Sequence, residues 1–450
     1  MRIISRCLGL GKPPPLCSLQ PLSLPIQCAP WQQLCFELGG GNDRIDTLQK
    51  VLDAGAPLLT EQPSGKDRSI LFGPHPVSVA ARMGHTSIVK FMIDRGVSPN
   101  ITAPGCLTPL GLAAGAGHAS LVKYLLQAGA RQGIENALGH RPVYLAAFEG
   151  HKDVVEVLLS DTKGHGDKPN KAELMTEALF AGARAGHVSL IQLLLTHGAQ
   201  VNVARFGRSP LTVAAGNGDS ELVSLLVVHG ADPNFVVDPL TVAVIKRHEE
   251  IVPMLIPGTA NLHRTRALAI AVSQGKRQIA EMLLLSGAHP HFCPSEIPSL
   301  SNDSSGDREE WVQPLLFAVQ SGNLGLVQLL LEYGADVNVE CSEHPGRGMD
   351  KDFDHVLFWA VEGSEETIVN LILESGADPE ITDVFGQPPL SYAVYSKCEA
   401  VIRCLLDHGA NPYRAVDHSG KKLIMFWQME QSTWAMLQEA EVKWTEQHPC

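Results

Sequence analysis

Apolar residues recur along this chain in short bursts rather than in long runs. From Thr108 to Ala130 it reads TPLGLAAGAGHASLVKYLLQAGA. Leu110, Ala113 and Ala114 stand three and four positions apart, the spacing of one helical face. Thr108 offers a hydroxyl to cap that helix, and Pro109 suits its first position, where no amide hydrogen is needed. The pattern breaks at Gly117-His118. Leu121, Val122, Leu125 and Leu126 then form a second stripe, which Gly129 ends because glycine enters left-handed backbone at no steric cost. The stretch predicts a helical hairpin too small to bury its own stripe. It needs copies of itself on both sides.

The copies are present. Gly96 to Gly129 spans 33 residues, Gly198 to Gly230 spans 32, and Gly376 to Gly409 spans 33. Gly129 to Gly198 spans 69, which holds two units. The landmarks TPL, AA, GH, LL and GAD-x-N return in the same order about ten times. On these residues the chain resembles the ankyrin-repeat family, and the resemblance covers residues 37 to 412. Tetratricopeptide units lack the GAD-x-N turn, and HEAT units run longer. The expected fold is all-α: an ankyrin-repeat solenoid of about eleven stacked helix–turn–helix units with β-turn fingers, some of them degenerate. Each repeat packs only on its neighbours, so the core can grow lengthwise over 450 residues.

Taken in order, residues 1–36 stand apart. They contain no Asp or Glu, carry only Arg2, Arg6 and Lys12, and include Pro13-Pro14-Pro15. Prolines follow the apolar Cys7-Leu8 too closely for a signal peptide, and a disordered leader is expected. The repeat array, 37–412, opens with a worn unit in which only Leu48, Val51, Leu52 and Gly55-Ala56 keep the second helix and its stop. Insertions are expected near 160–171, 293–310 and 340–354. The seventh unit, from Asp238-Pro239-Leu240, has Pro253 and Pro257 in its second helix and Lys246-Arg247-His248 in place of a glycine turn. Proline inside a helix costs about 3 kcal/mol, so a shortened or kinked helix and a soft joint are expected there.

Residues 413–450 lose the repeat and are expected to form C-terminal capping helices. They hold Trp427, Trp434 and Trp444. Trp434, Leu437, Ala440 and Trp444 share one helical face. That face either folds back over the last repeat or docks a partner through aromatic anchors.

Composition narrows the function. The formal net charge is −13, and no stripe of Lys and Arg could follow a phosphate backbone, which argues against nucleic acid. No apolar run reaches the length that spans a bilayer, which argues against membrane insertion. Ten cysteines without a C-x-x-C pair read as reduced thiols of the cytoplasm or nucleus. The acceptor-like tripeptides Asn100-Ile101-Thr102 and Asn302-Asp303-Ser304 are read as inert.

Candidate contacts lie on the turn tips. The family resemblance implies a non-catalytic scaffold that binds other proteins through the concave face and the fingers, and a monomer is expected. Arg205-Phe206-Gly207-Arg208 sets an aromatic between two guanidiniums, and Val384-Phe385-Gly386 offers a second apolar tip. Each Phe either meets a partner or tucks against the neighbouring finger. The candidate partner-binding residues are Arg205, Phe206, Arg208, Val384, Phe385, Trp434 and Trp444. The family's TPLH histidine, which ties adjacent turns, is replaced by Gly111, Tyr144, Thr212 and Thr241. The loss bears on the regularity of the array and not on its fold.

No metal or cofactor is expected. His289-Pro290-His291-Phe292-Cys293 lacks a second cluster to complete a tetrahedral zinc site. Asp350 to Asp354 imitates a calcium loop but has His355 where glycine is required. Ser419-Gly420-Lys421-Lys422 lacks the first glycine and the final hydroxyl of a phosphate loop. No nucleophile–base pair, paired catalytic carboxylates or dinucleotide fingerprint is present, so no enzymatic activity is expected. An alternative role is substrate-recognition adaptor of a cullin-type ubiquitin ligase. Only the tail could serve its linking motif, and it matches none. A membrane-skeleton linker is disfavoured by the absence of a basic patch.

Overall fold

The computed structural model describes residues 49, 75–102, 107–160, 169–291, 313–338, 355–383, 385–414 and 431–447. The leader 1–36, most of the worn first repeat, residues 161–168, the insertions 293–310 and 340–354, Val384 and Trp427 lie outside the described residues. Among those described, ten helix pairs follow one another along the chain. Contacts divide the chain into a unit of Met1–Val237 and a unit of Asp238–Cys450.

The first unit contains α1 (Pro76–Met83) with α2 (Thr86–Asp94), α3 (Pro109–Gly115) with α4 (Ala119–Gln127), and α5 (Pro142–Phe148) with α6 (Lys152–Ser160). It continues with α7 (Lys171–Ala185) and α8 (Val188–Thr196), then α9 (Pro210–Asn217) and α10 (Ser220–Val228). The second unit contains α11 (Pro239–Lys246), α12 (Val252–Leu255), α13 (Asn261–Ser273), α14 (Arg277–Leu285), α15 (Pro314–Gln320) and α16 (Leu324–Glu332). After them come α17 (Val356–Glu362), α18 (Glu366–Glu374), α19 (Pro389–Tyr395), α20 (Glu399–Asp407), a 3-10 turn at Pro412–Arg414, and α21 (Gln431–Gln447).

Within each unit the first helix of a pair packs between the first helices of its neighbours, so it is buried nearly all round. Every residue of α3 is buried, which explains its run of Leu, Ala and Gly. Second helices meet solvent on one side and bury one stripe; in α4 that stripe is Leu121, Val122, Leu125 and Leu126. Thr108 caps α3 as its hydroxyl implies, with Oγ1 accepting from Gly111 N at 3.1 Å. Ser209 and Asp238 cap α9 and α11 in the same way.

Side chains tie each repeat to the next. The Asn100 amide donates to Gly129 O (3.1 Å) and accepts from Arg131 N (2.8 Å). Asn202 repeats the pair with Gly230 O and Asp232 N, and Asn338 with Gly376 O and Asp378 N. Asn100 is thus committed to the stack. The Gly-His turns add a second tie: the His118 ring lies 3.0 Å from Arg82 O, and the His187 ring 2.9 Å from Phe148 O. A Cβ on Gly84 would come within 2.6 Å of His118, so that glycine supplies both a left-handed turn and room for the next repeat's imidazole. Where the TPLH histidine is missing, Thr212 Oγ1 donates to Val237 O at 2.6 Å and restores a tie between turns.

The seventh unit is shortened as its prolines imply: α12 has four residues. Pro253 stands in the first turn, where proline is tolerated, and the helix ends before Pro257. Arg247 takes the left-handed turn that glycine holds elsewhere, at φ +65°. Helix α21 packs on α20 and on the 412–414 turn, burying Thr433 and Leu437. The buried face is rotated from the one drawn by the tryptophans: Trp434 is 43 % exposed, and Trp444 is half-buried.

Candidate protein-interaction site

The fingers are built by local turn chemistry. In the first unit, Asn136 Oδ1 accepts from Leu138 N (2.9 Å) and His140 N (3.0 Å), while Gly139 at φ +72° turns the chain back. In the second unit Asp383 Oδ1 accepts from Phe385 N (2.9 Å) and Gln387 N (2.8 Å), with Gly386 at φ +77°. Asp383 is also held by the Tyr392 hydroxyl. Leu138 and Phe385 therefore occupy equivalent tips. They are 52 % and 71 % exposed.

The finger at 205–208 is of another kind. Arg205 and Arg208 exchange both backbone hydrogen bonds (3.0 and 3.1 Å), leaving a two-residue loop with Phe206 at φ +53° and Gly207 at φ +70°. Two successive positive φ angles define the tight hairpin turn that Asn-Gly favours. Here a phenylalanine takes the first place and is 66 % exposed. Left-handed backbone costs an L-residue about 1–2 kcal/mol, and about two-thirds of this ring stays in solvent. Its edge contacts are to His140 and Phe180, with ring centroids 6.4 and 6.1 Å away. Phe206 thus leans on the neighbouring finger and still shows most of its surface.

Behind Phe206 lies a charged core that sequence reasoning missed. The fourth pair has no GAD-x-N turn before it; α7 extends to 15 residues instead, capped by Asn170. Its Glu177, 4 % exposed, lies between two arginines. Glu177 Oε1 is 2.8 Å from Arg141 Nη1 and 2.6 Å from Arg205 Nη1. Arg205 Nη2 also donates to Gly139 O at 2.9 Å, lacing the Phe206 finger to the Leu138 finger. Glu135 (3.3 Å) and Glu173 (3.8 Å) complete the acids around Arg141. Arg205 therefore faces inward, whereas Arg208 is exposed. The available signal was one acid on an otherwise apolar face, beside Leu174, Ala178 and Ala181.

Tyr144, one of the residues in place of the family histidine, forms the floor. His140 stacks on it at 3.7 Å and 8°, Arg205 lies 5.5 Å from its ring centroid, and Arg184 Nη1 donates to its hydroxyl at 3.3 Å. Burial, and then the charges of Arg205 and Arg184, push the His140 pKa down to about 4. His140 is accordingly a neutral stacking surface near pH 7.

The remaining candidates do not join this cluster. Phe385 stands alone on its finger, Val384 lies outside the described residues, and Trp434 and Trp444 belong to α21. The His289 and His291 rings are 6.3 Å apart, and Cys293 lies outside the described residues. Among the described residues, no group of three or more His, Cys, Asp or Glu could hold a metal ion. No helix among them is long and apolar enough to cross a membrane.

With this geometry the class is defined: stacked helix pairs joined by turns that display side chains and, among the described residues, enclose no metal site. The family profile for ankyrin repeats matches residues 77–173, 163–237 and 315–417, together more than half of the sequence. The chain belongs to the ankyrin-repeat family. Among curated proteins it is similar to ankyrin repeat and SAM domain-containing protein 6 of Danio rerio, 33% identical over 136 residues, or 28% of this chain and 17% of that one. A putative ankyrin repeat-containing protein of Treponema pallidum (strain Nichols) is 30% identical over 156 residues, covering 32% of this chain and 50% of the relative. Dynein axonemal heavy chain 12 of Bos taurus is 31% identical over 119 residues, covering 26% and 27%. The alignments span half or less of these relatives.

Proposed function

We propose that this chain is a non-catalytic scaffold that binds protein partners through its finger tips and the adjoining first helices. The observation that carries the reading is the display of large apolar side chains at turns: Leu138, Phe206 and Phe385 are each more than half exposed. Turn tips are ordinarily polar, and an aromatic in left-handed backbone opposes folding unless something outside the fold selects it. The family supports the same reading, since ankyrin repeats are generally protein-interaction modules.

The test is affinity capture with the tagged full chain and a Phe206→Ala/Phe385→Ala double variant. A stoichiometric protein retained by the wild type and lost from a double variant of unchanged melting temperature supports the scaffold. If every retained protein binds the double variant equally well, the finger tips are not the binding surface and the reading fails.

A further inference from the structure

We propose that Asn217-Gly218, where α9 ends in the first unit, is a site of spontaneous deamidation whose conversion unties α9 from α7. Elsewhere in this unit an imidazole that follows a turn glycine reaches back to the preceding pair: His118 to Arg82 O and His187 to Phe148 O. Arg82 and Phe148 stand two residues before the turn glycines Gly84 and Gly150. Arg184 stands likewise two before Gly186, but the residue after Gly218 is Asp219, whose carboxylate cannot donate to a carbonyl. Asp219 instead caps α10, accepting from Leu222 N at 2.9 Å. Asn217, on the other side of the glycine, takes over the tie: its Nδ2 donates to Arg184 O at 3.1 Å.

An amide in place of an imidazole makes this tie perishable. Asn217-Gly218 is the only Asn-Gly pair in the 450 residues. Deamidation begins when the backbone nitrogen of the following residue attacks the asparagine Cγ, and glycine, lacking a Cβ, obstructs that approach least. Asn217 is exposed, so water reaches the reacting group. The Gly218 N–H is weakly engaged, with Ala215 O 3.4 Å away, beyond the usual range of an N–H···O bond. Asn217 is also the last residue of α9, and helix ends fray.

The step needs no co-reactant but water. The Gly218 nitrogen bonds to Cγ, its proton and the side-chain amide leave together as ammonia, and a five-membered succinimide remains. Water then adds to one of the two ring carbonyls. Opening at one gives aspartate; opening at the other gives isoaspartate, whose main chain runs through the side chain and is one methylene longer. Either product sets a carboxylate oxygen against Arg184 O, two acceptors with no hydrogen between them. Gln274 supplies the contrast in the second unit. It makes the same kind of tie, to Ile245 O at 3.5 Å, with a side chain one carbon longer that closes such a ring far less readily.

The test is prolonged incubation of the full chain at neutral pH, with peptide mapping by mass spectrometry and hydrogen exchange on fresh and aged protein. Asn217 is expected to convert ahead of Asn202 and Asn338, which are also exposed, and to yield both aspartate and isoaspartate. Amides of α9 and of the end of α7 then exchange about fivefold faster, the factor set by one lost hydrogen bond. Fresh Asn217→Asp protein shows the same increase, whereas Asn217→Gln neither converts nor exchanges faster. Two results overturn the inference: an Asn217 amide that lasts as long as those of Asn202 and Asn338, or conversion that leaves exchange in α7 and α9 unchanged.

Discussion

Two first helices in this molecule are nearly twice the usual length, α7 in the first unit and α13 in the second, and they handle charge in opposite ways. Aligned on their closing glycines, Gly186 and Gly275, Glu177 of α7 and Arg266 of α13 occupy the same position. The residue before the proline of the preceding first helix is likewise reversed: Arg141 in the first unit, Asp238 in the second. In the first unit the carboxylate gathers two guanidiniums and fixes a finger. In the second, Asp238 caps α11 through Thr241 N at 2.7 Å and lies 3.4 Å from the His263 ring. The repeat fold tolerates either sign at these positions. Its demands there are burial and a polar partner, so charge is free to serve recognition. The whole sequence follows the same division, with twenty Lys and Arg against eighteen Asp and Glu over 1–237, and fifteen against thirty over 238–450. The first half is near neutral; the second carries the excess acid.

The largest test of this contrast is removal of the buried carboxylate. Glu177→Ala leaves Arg141 and Arg205 without their shared partner, and breaking a buried pair from one side costs about 3 kcal/mol. Asp238→Ala loses a helix cap, worth about 1 kcal/mol. Hydrogen exchange of α5, α7 and α9 against α11 and α13 reads each unit separately, as a repeat array requires. Equal losses in the two units would erase the distinction.

A second contrast concerns the turns. Gly117, at φ +86°, faces the His151 ring, where a Cβ would come within 2.7 Å; Gly322, at φ +64°, has nothing within 4 Å. Gly322→Ala should show only the backbone penalty of about 1 kcal/mol. Gly117→Ala should exceed it by a further kcal/mol or about that, because an imidazole wedged between repeats must move. Urea denaturation followed by helix circular dichroism measures the difference. Equal values would mean that the His151 ring shifts at no cost.

The smallest effect is in pH. His140 has its folded pKa lowered to about 4 from an ordinary 6.5, so between those values the unfolded chain binds the proton and the folded chain does not. Its contribution is complete above about pH 6.5 and is lost as pH falls toward 4. Thermal melts of His140→Phe, which keeps the stack on Tyr144, should show a shallower decline over that window than the wild type. An unchanged slope would remove His140 from the acid response.

The period of 33 residues, the cap at Thr108, the left-handed glycines and the brevity of the seventh unit's second helix were all legible in the chain. Each is a local matter, settled by a side chain acting on backbone within a few residues or by a stripe that recurs. Phe206 and Phe385 were also visible as apolar residues in turn positions. Leu138 was missed, although Asn136 to His140 carries the same turn chemistry as Asp383 to Gln387.

What only the tertiary structure decided is the partnership across repeats. Nothing in the neighbourhood of Glu177 in sequence announces that Arg141, 36 residues before it, and Arg205, 28 after it, converge on one oxygen. Nor does the motif around Arg205 show that its guanidinium turns inward while Arg208 stays in water. Hydrophobic periodicity specifies which face of a helix is buried, because burial scales with apolar area and needs no particular partner. The pairing of charges depends on distance and direction between side chains carried by different repeats, and those exist only once the repeats are stacked.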